Sequence, residues 1–283
     1  MPIVVGLEGT AIQDLIGPTH DAGKSHPTRR FYTAPMRKPL DHCVALVTGA
    51  SSGIGRAVAS ALLERGTKVA LLARRRDRLD QLASGYAAEQ TLVCPADLRD
   101  ESDIRRAFDT IRAAWGGVDI VVNAGGLGRR APLIDGSTAA WREMLEVNVL
   151  GLCVCTQQAL SDMRRRGDDG HVVHVSSMSG HRVPEGSGVY GATKFAVRAL
   201  TESLRKELRA LGSSIRVTAV SPGFVETEFA EVFHGSADAA EQTYGRYKVL
   251  QPEDVASAVL YALEAPAHVD IHDILMRPTD QPA

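Results

Sequence analysis

The sequence predicts an α/β fold, a single-domain doubly wound parallel sheet of about seven strands with helices on both faces. Three observations lead there. Short β-branched runs alternate with helical patterns from residue 43 onward. Those runs are apolar throughout, as expected of strands buried on both faces. The first run ends in a glycine-rich turn that opens a helix.

The strands are read at CVALVTG (43–49), KVALLAR (68–74), TLVCPAD (91–97), DIVVNAG (119–125), HVVHVSS (171–177) and IRVTAVSP (215–222), with a short last one near ILM (274–276). Helical patterns fill 53–65, 75–85, 101–115, 138–165, 189–211 and 252–264. The clearest is VYGATKFAVRALTESLRKELRALG (189–212), where Phe195, Ala196, Ala199, Leu200, Leu204, Leu208 and Leu211 recur at helical spacing. No repeat or long linker interrupts the series, so no separate substrate domain is expected and the site is built from the sheet's own loops. The domain is placed at 41–283, with a substrate lid at 224–250. Residues 1–40 read as a disordered or loosely packed arm. From Gly17 to Leu40 they are rich in Pro, Gly, His, Thr and Arg and have no periodicity. The first strand follows closely on Met36, an alternative start of the chain.

At 283 residues the chain suits one large domain, or a domain with an appendage, and 44% apolar residues supply a sizeable core. Net charge is −2 with both signs scattered, which argues against a nucleic-acid or polybasic membrane surface. No apolar run reaches the ~18–20 residues of a membrane span. The N-terminus has no basic n-region and carries Glu8 and Asp14, so the expected location is cytoplasmic and not secretory. Cys43, Cys94, Cys153 and Cys155 show no CxxC spacing and read as reduced and mostly packed, with no metal site.

The first strand ends in TGASSGIG (48–55). Gly49 allows the tight turn, Gly53 lets backbone approach a pyrophosphate, and Gly55 permits close helix–strand packing. The helix offers N–H groups and a positive dipole end to the anion. The alternative is a plain connection with Ser51 and Ser52 as caps. Tyr190 and Lys194 lie on one helix face four residues apart, and such a pair can also be an exposed surface contact.

The spacing TGxxxGxG resembles the glycine motif of the short-chain dehydrogenase/reductase family, whose fold is Rossmann-like. The resemblance covers residues 43–280 and is carried by TGASSGIG, Asp97-Leu98, Asn148, Ser177, Tyr190-x-x-x-Lys194 and SPG (221–223). It implies a tyrosine proton donor or acceptor sustained by a lysine that also bonds the nicotinamide ribose. It further implies cofactor contacts from Ser51, Ser52, Ile54, Asn123 and Val225. Asp97 and Leu98 would meet the adenine, Pro222 and Gly223 turn near the nicotinamide, and Thr227 meets its carboxamide. Asn148 would hold a water between the lysine and solvent. Without the resemblance, Asp97 reads as a turn cap and Asn148 as an interior side chain bonding backbone carbonyls.

The second strand ends at Ala73, where an acid would select NAD by bonding the ribose 2′-hydroxyl. Arg74 and Arg75 follow and suit a 2′-phosphate, so the expected cofactor is NADP(H). The alternative is a solvated helix face.

A free tyrosine, with a pKa near ~10, is a poor base at neutral pH. Nearby cations are expected to lower Tyr190 by about 2 units, which takes about 2.7 kcal/mol. Tyr190 is then the general acid/base. Ser177, at the C-terminal end of the fifth strand, can orient the carbonyl oxygen. Ser176 and Ser179 are rivals, although alternation lets only one of residues 176 and 177 face the cleft.

One motif departs from the family. The fourth strand reads NAGG (123–126) instead of NNAG, so Ala124 replaces an asparagine that ties neighbouring strands together. Segments 167–183, 221–229 and 252–281 are similar to a subgroup of animal 3(17)-beta-hydroxysteroid dehydrogenase/reductases, insect farnesol dehydrogenases and bacterial 3-hydroxy acid dehydrogenases. These interconvert secondary alcohols with ketones, or alcohols with aldehydes. Phe224, Phe229, Val232, Phe233, Tyr244 and Tyr247 are read as an apolar lid, with ordinary helix packing as the alternative. Such a lid suits an apolar carbonyl, while Arg129, His181 and Arg182 would suit an acid. A non-catalytic nucleotide sensor and a nucleotide-sugar epimerase or dehydratase are the rival functions. The apolar helices at 138–165 and 189–211 imply, by the resemblance, a homodimer or homotetramer.

Overall fold

A computed structural model of the chain describes residues 38–282. The strands are β1 (Val44–Thr48), β2 (Lys68–Ala73), β3 (Thr91–Pro95), β4 (Ile120–Asn123), β5 (His171–Val175), β6 (Arg216–Pro222) and β7 (Asp273–Met276). They form one 7-stranded sheet in the order β3-β2-β1-β4-β5-β6-β7, and every pair is parallel. The helices are α1 (Gly53–Glu64), α2 (Arg76–Ala83), α3 (Glu101–Trp115), α4 (Thr138–Leu145), α5 (Leu152–Arg165), α6 (Gly188–Ala210), α7 (Phe229–His234), α8 (Ala237–Tyr244) and α9 (Pro252–Glu264).

Both sheet faces are covered, which explains the unbroken apolar runs. Ala45, Val47, Val69 and Leu71 pack with Val58 and Leu62 of α1, Leu79 of α2 and Val255 and Val259 of α9. Their neighbours Val44, Leu46, Ala70 and Leu72 point the other way, onto Ile104 and Phe108 of α3, Met163 of α5 and Leu208 of α6. β1 and β2 thus feed two cores at once.

The sequence predicts one helix over 138–165, and the structure divides it. Between α4 and α5, residues Glu146–Gly151 form a π-helical turn. Gly151 packs against the carbonyl of Leu98, where a Cβ would lie only 2.5 Å away. The widened turn also seats Asn148 in the interior, 2% exposed.

Residues 1–37, including Met36, lie outside the described residues. The last three residues of the expected arm are fastened to the domain. Lys38 Nζ pairs with Asp119 at 2.7 Å, and Leu40 packs on the α1 core. Asp119 also accepts the Val44 N–H at 2.8 Å and an Arg166 N–H at 3.0 Å, so one carboxylate gathers the N-terminal edge of the sheet. Arg216, at the start of β6, closes the same edge farther along the sheet. Its guanidinium donates to the carbonyls of Leu263 and Ala265 at the end of α9, and to Val269.

A buried polar chain crosses four elements. Asn123 Nδ2 donates to Thr156 Oγ1 (3.1 Å), which meets His174 Nε2 (3.1 Å). His174 Nδ1 meets Thr201 Oγ1 (2.8 Å), which donates to the Val197 carbonyl. Since the Thr201 proton is committed to Val197, His174 donates from Nδ1 and accepts at Nε2, a neutral ring. Burial, then Lys194 and Arg205, push His174 down from 6.5 to about 3. The unfolded chain therefore takes up a proton before the folded one does. Stability held by this ring is complete above pH 6.5 and is lost as pH falls from there toward about 3. Melting temperatures across that range should fall more steeply in the wild type than in His174→Gln.

Among the described residues no helix is long and apolar enough to cross a membrane, and no group of three or more His, Cys, Asp or Glu could hold a metal. The four cysteines carry no disulfide.

Candidate active site

Strand order reverses between β1 and β4, and a cleft of about 340 Å³ opens at their C-terminal ends. Thr48 Oγ1 accepts the Gly125 N–H at 2.9 Å and ties the two strand ends. Gly49 turns with φ +71°, and a Cβ there would lie 2.8 Å from Gly125 Cα. At Gly55 a Cβ would lie 2.3 Å from the Gly49 carbonyl oxygen. Side-chain-free backbone is thus what brings β1, β4 and α1 together. Ser52, at the N-cap of α1, gives its first turn no side-chain bond. This cradle fits a dinucleotide's pyrophosphate.

The expected contacts Gly49, Ser51, Ser52, Gly53, Ile54 and Gly55 line the cleft, as do Arg74, Arg75, Asp97, Leu98 and Thr227. Arg75 bends over the glycine turn. It donates from Nη2 to Ser52 Oγ (2.7 Å) and Ser51 Oγ (3.1 Å), and its Nη1 lies 2.8 Å from Glu228 Oε2. Arg78 takes the other Glu228 oxygen. Arg74 is exposed at the rim. Asp97 also makes the turn-capping bond that its residue type alone suggests, accepting the Arg99 N–H at 3.0 Å. Hydrogen bonding to Arg99 lowers its carboxyl against burial.

Asn123, Pro222, Gly223 and Val225 stand outside the lining of this cleft, as do Tyr190 and Lys194, although a Cβ at the lining residue Gly126 would lie 3.6 Å from Lys194 Nζ. The Asn123 amide is turned to Thr156, and Gly223 abuts the C-terminal segment, its N–H on the Met276 carbonyl at 2.7 Å. Val225 is buried in the α1 and α9 core.

Ser177, Tyr190 and Lys194 converge beside β5. The Ser177 hydroxyl accepts the Ser179 N–H at 3.0 Å and is hydrogen-bonded to the Tyr190 phenol. Its rival Ser176 is buried and donates to the Lys194 carbonyl. Lys194 Nζ lies 5.8 Å from the Tyr190 ring centre and donates to the Val175 carbonyl at 3.0 Å. Asn148 is clamped to the backbone. It accepts the Leu127 N–H at 2.9 Å and donates to the Leu127 carbonyl at 2.8 Å.

The protein's own groups do not give the expected lowering of the phenol. Burial pushes Tyr190 up to about 12, with the Ser177 hydrogen bond acting against it. Burial also brings Lys194 down to about 8. On rising pH the ammonium thus loses its charge before the phenol ionises, and a cation one turn away is no longer present to help.

Two aromatics of the segment expected to form a lid meet the phenol. Phe229 is 5.2 Å and Phe233 6.2 Å from Tyr190, ring centre to ring centre. They press on Gly128, where a Cβ would lie 2.6 Å from Phe229 Cζ. The Tyr244 hydroxyl fastens α8 to the start of α7, donating to the Thr227 carbonyl at 3.1 Å and accepting the Ala230 N–H. Phe224 is outside this cluster, its backbone paired with Leu250. The Glu228–Arg78 pair escapes sequence reasoning because 150 positions separate the two residues.

The family described as short chain dehydrogenase matches residues 43–236, which take in the glycine turn, Ser177 and the Tyr190–Lys194 pair. The chain belongs to this family of oxidoreductases, which act on small molecules with a nicotinamide cofactor. It is 50% identical over 248 residues to "Dehydrogenase/reductase SDR family member 11" of Bos taurus, covering 84% of this chain and 96% of that protein. It is 39% identical to "Farnesol dehydrogenase" of Aedes aegypti, over 84% of this chain and 96% of the other. Among solved structures it resembles the closed form of a serine dehydrogenase complexed with NADP+, with a TM-score of 0.81 and 34% identity over 85% of this chain and 96% of that one.

Proposed function

We propose that the protein interconverts a secondary alcohol and its ketone, or an alcohol and an aldehyde, using NADP(H). The observation that carries this is the grouping of Ser177, Tyr190 and Lys194 beside a glycine-lined cleft with Arg75 over its turn. When bound, the dinucleotide supplies the hydride in reduction and accepts it in oxidation. Ser177 orients the substrate oxygen, and Tyr190 gives its proton to the alkoxide as it forms. An alkoxide is a stronger base than a phenolate, so a phenol at about 12 still donates downhill. In oxidation Tyr190 takes the proton. Lys194 neutralises the phenolate and bonds the nicotinamide ribose. Asn148 holds the 126–127 loop beside them.

Arg74 and Arg75 would receive the 2′-phosphate, and the NADP+ in the serine dehydrogenase structure supports the same choice. The apolar lid favours an apolar carbonyl over a 3-hydroxy acid. Two candidate acid-binding groups are already engaged, Arg129 with Glu143 at 3.0 Å and His181 with Ser221 at 3.0 Å. The exposed Leu150, in the π turn before α5, and Leu211, at the C-cap of α6, support a homodimer or homotetramer.

Purified protein with NADPH and a panel of apolar ketones, read at the nicotinamide absorbance, tests the reaction. No turnover with any of them defeats it. Arg75→Ala, alone or with Arg74→Ala, should cut kcat/KM for NADPH roughly 10- to 100-fold while sparing NADH. An unchanged NADPH/NADH ratio removes the cofactor assignment.

A further inference from the structure

Glu228 sits at a junction. Its carboxylate spans two guanidiniums, one oxygen on Arg75 at 2.8 Å and the other on Arg78. Arg75 is the side chain that also grips Ser51 and Ser52 over the glycine turn. In the next residue the chain enters α7, and Phe229 meets Tyr190. One residue earlier, Thr227 touches the turn from the other side, its Cγ2 2.9 Å from where a Gly53 Cβ would be. An anion held at Arg75 is therefore one residue from a ring on the phenol.

We propose that Glu228 is a specificity-determining residue whose carboxylate occupies Arg75 as a placeholder, yields it to the 2′-phosphate of NADP(H), and so couples that phosphate to the position of the lid. This rests on the NADP(H) reading above and goes beyond it. Two anions cannot share one guanidinium side without repulsion, and a phosphate monoester carries the larger charge, about −1.5 to −2 at pH 7. The Arg75–Glu228 pair is open to water, with side chains 40% and 41% exposed, so its hold is modest and reversible. Burial raises the Glu228 carboxyl, but Arg78 and Arg75 more than offset this and keep it ionised. Arg78 stays with Glu228 after Arg75 is taken, so the carboxylate moves toward α2 and the start of α7 follows it. NAD(H) offers an uncharged hydroxyl and leaves the pair intact. The discrimination between the two cofactors is then felt at the lid as well as at the ribose.

Calorimetry on the full chain tests this with adenosine 2′,5′-bisphosphate and 5′-AMP, which differ by the phosphate and lack nicotinamide. Glu228→Gln should bind the bisphosphate and NADP+ roughly three- to tenfold more tightly, and AMP and NAD+ within about twofold of wild type. Hydrogen exchange gives a second reading. The bisphosphate should speed amide exchange over residues 228–234 in the wild type, and AMP should not. In Glu228→Gln neither ligand should change the exchange over those residues. Unchanged or weaker NADP+ binding in Glu228→Gln, or bisphosphate binding with no change in exchange, overturns the placeholder. If the wild type binds the bisphosphate no better than AMP, the NADP(H) reading falls first and this inference with it. Tight bisphosphate binding that ignores residue 228 defeats the inference alone.

Discussion

Tyr190→Phe should lower kcat by about 10²–10⁴-fold and leave NADPH affinity and thermal stability close to wild type. The substitution removes one oxygen. The ring keeps its neighbours Phe229 and Phe233 at 5.2 and 6.2 Å, so packing is preserved. Ser177 keeps the Ser179 N–H. What is lost is the proton that quenches the alkoxide, and without it the hydride step has no stabilised product. Single-turnover kinetics with NADPH and a reactive ketone separates this from a binding defect. Turnover within a few fold of wild type would remove the phenol from the mechanism. The pH profile carries a related signature. Burial brings Lys194 down to about 8, so kcat/KM should decline on that alkaline side, before the phenol at about 12 is reached. In Lys194→Met that decline should vanish together with most of the activity.

Gly55→Ala should cost about 3 kcal/mol of stability and abolish measurable dinucleotide binding. The new Cβ would lie 2.3 Å from the Gly49 carbonyl oxygen, 2.6 Å from its carbon and 2.9 Å from the Thr48 carbonyl oxygen. All three are backbone atoms of the turn, and none can rotate aside as a side chain would. Relief requires α1 to back away from β1, which opens the cradle and pulls Val58 and Leu62 from the core. Gly85→Ala is the matched control, because its Cβ meets only the Leu82 carbonyl at an ordinary 3.5 Å. Denaturant unfolding and nucleotide titration of both variants check the contrast. Equal stability of the two would mean that the turn is softer than its contacts imply.

Much of this architecture is legible in the chain because local and global demands agree. The glycine turn, the apolar runs and the helix at 101–115 follow from patterns within a few residues, and α3 and α9 occupy the spans that periodicity predicts. Tyr190 and Lys194 share a short helical spacing, so their proximity is readable too. The π turn at Glu146–Gly151 is not, and the neighbour that crowds its Gly151 is Leu98, some fifty positions upstream. The direction of the Tyr190 shift is missed for a similar reason. Charge can be counted in a sequence, whereas the water excluded from the phenol depends on elements that meet only in the fold. Glu228 is the strongest case, an ordinary surface acid until the chain brings it to Arg75.

The π turn has a consequence for how α4 and α5 divide their tasks. Met144 packs with Leu127, Trp141 and Tyr190, whereas Cys155, Ala159 and Met163 face the sheet. A helix has one apolar stripe, and each added residue rotates that stripe by about 100°. The surplus residue in the wide turn re-aims the stripe, letting one continuous rod serve the reaction centre with its first half and the scaffold with its second. Shortening that turn by a single position would leave both halves helical and point one of them at the wrong partner.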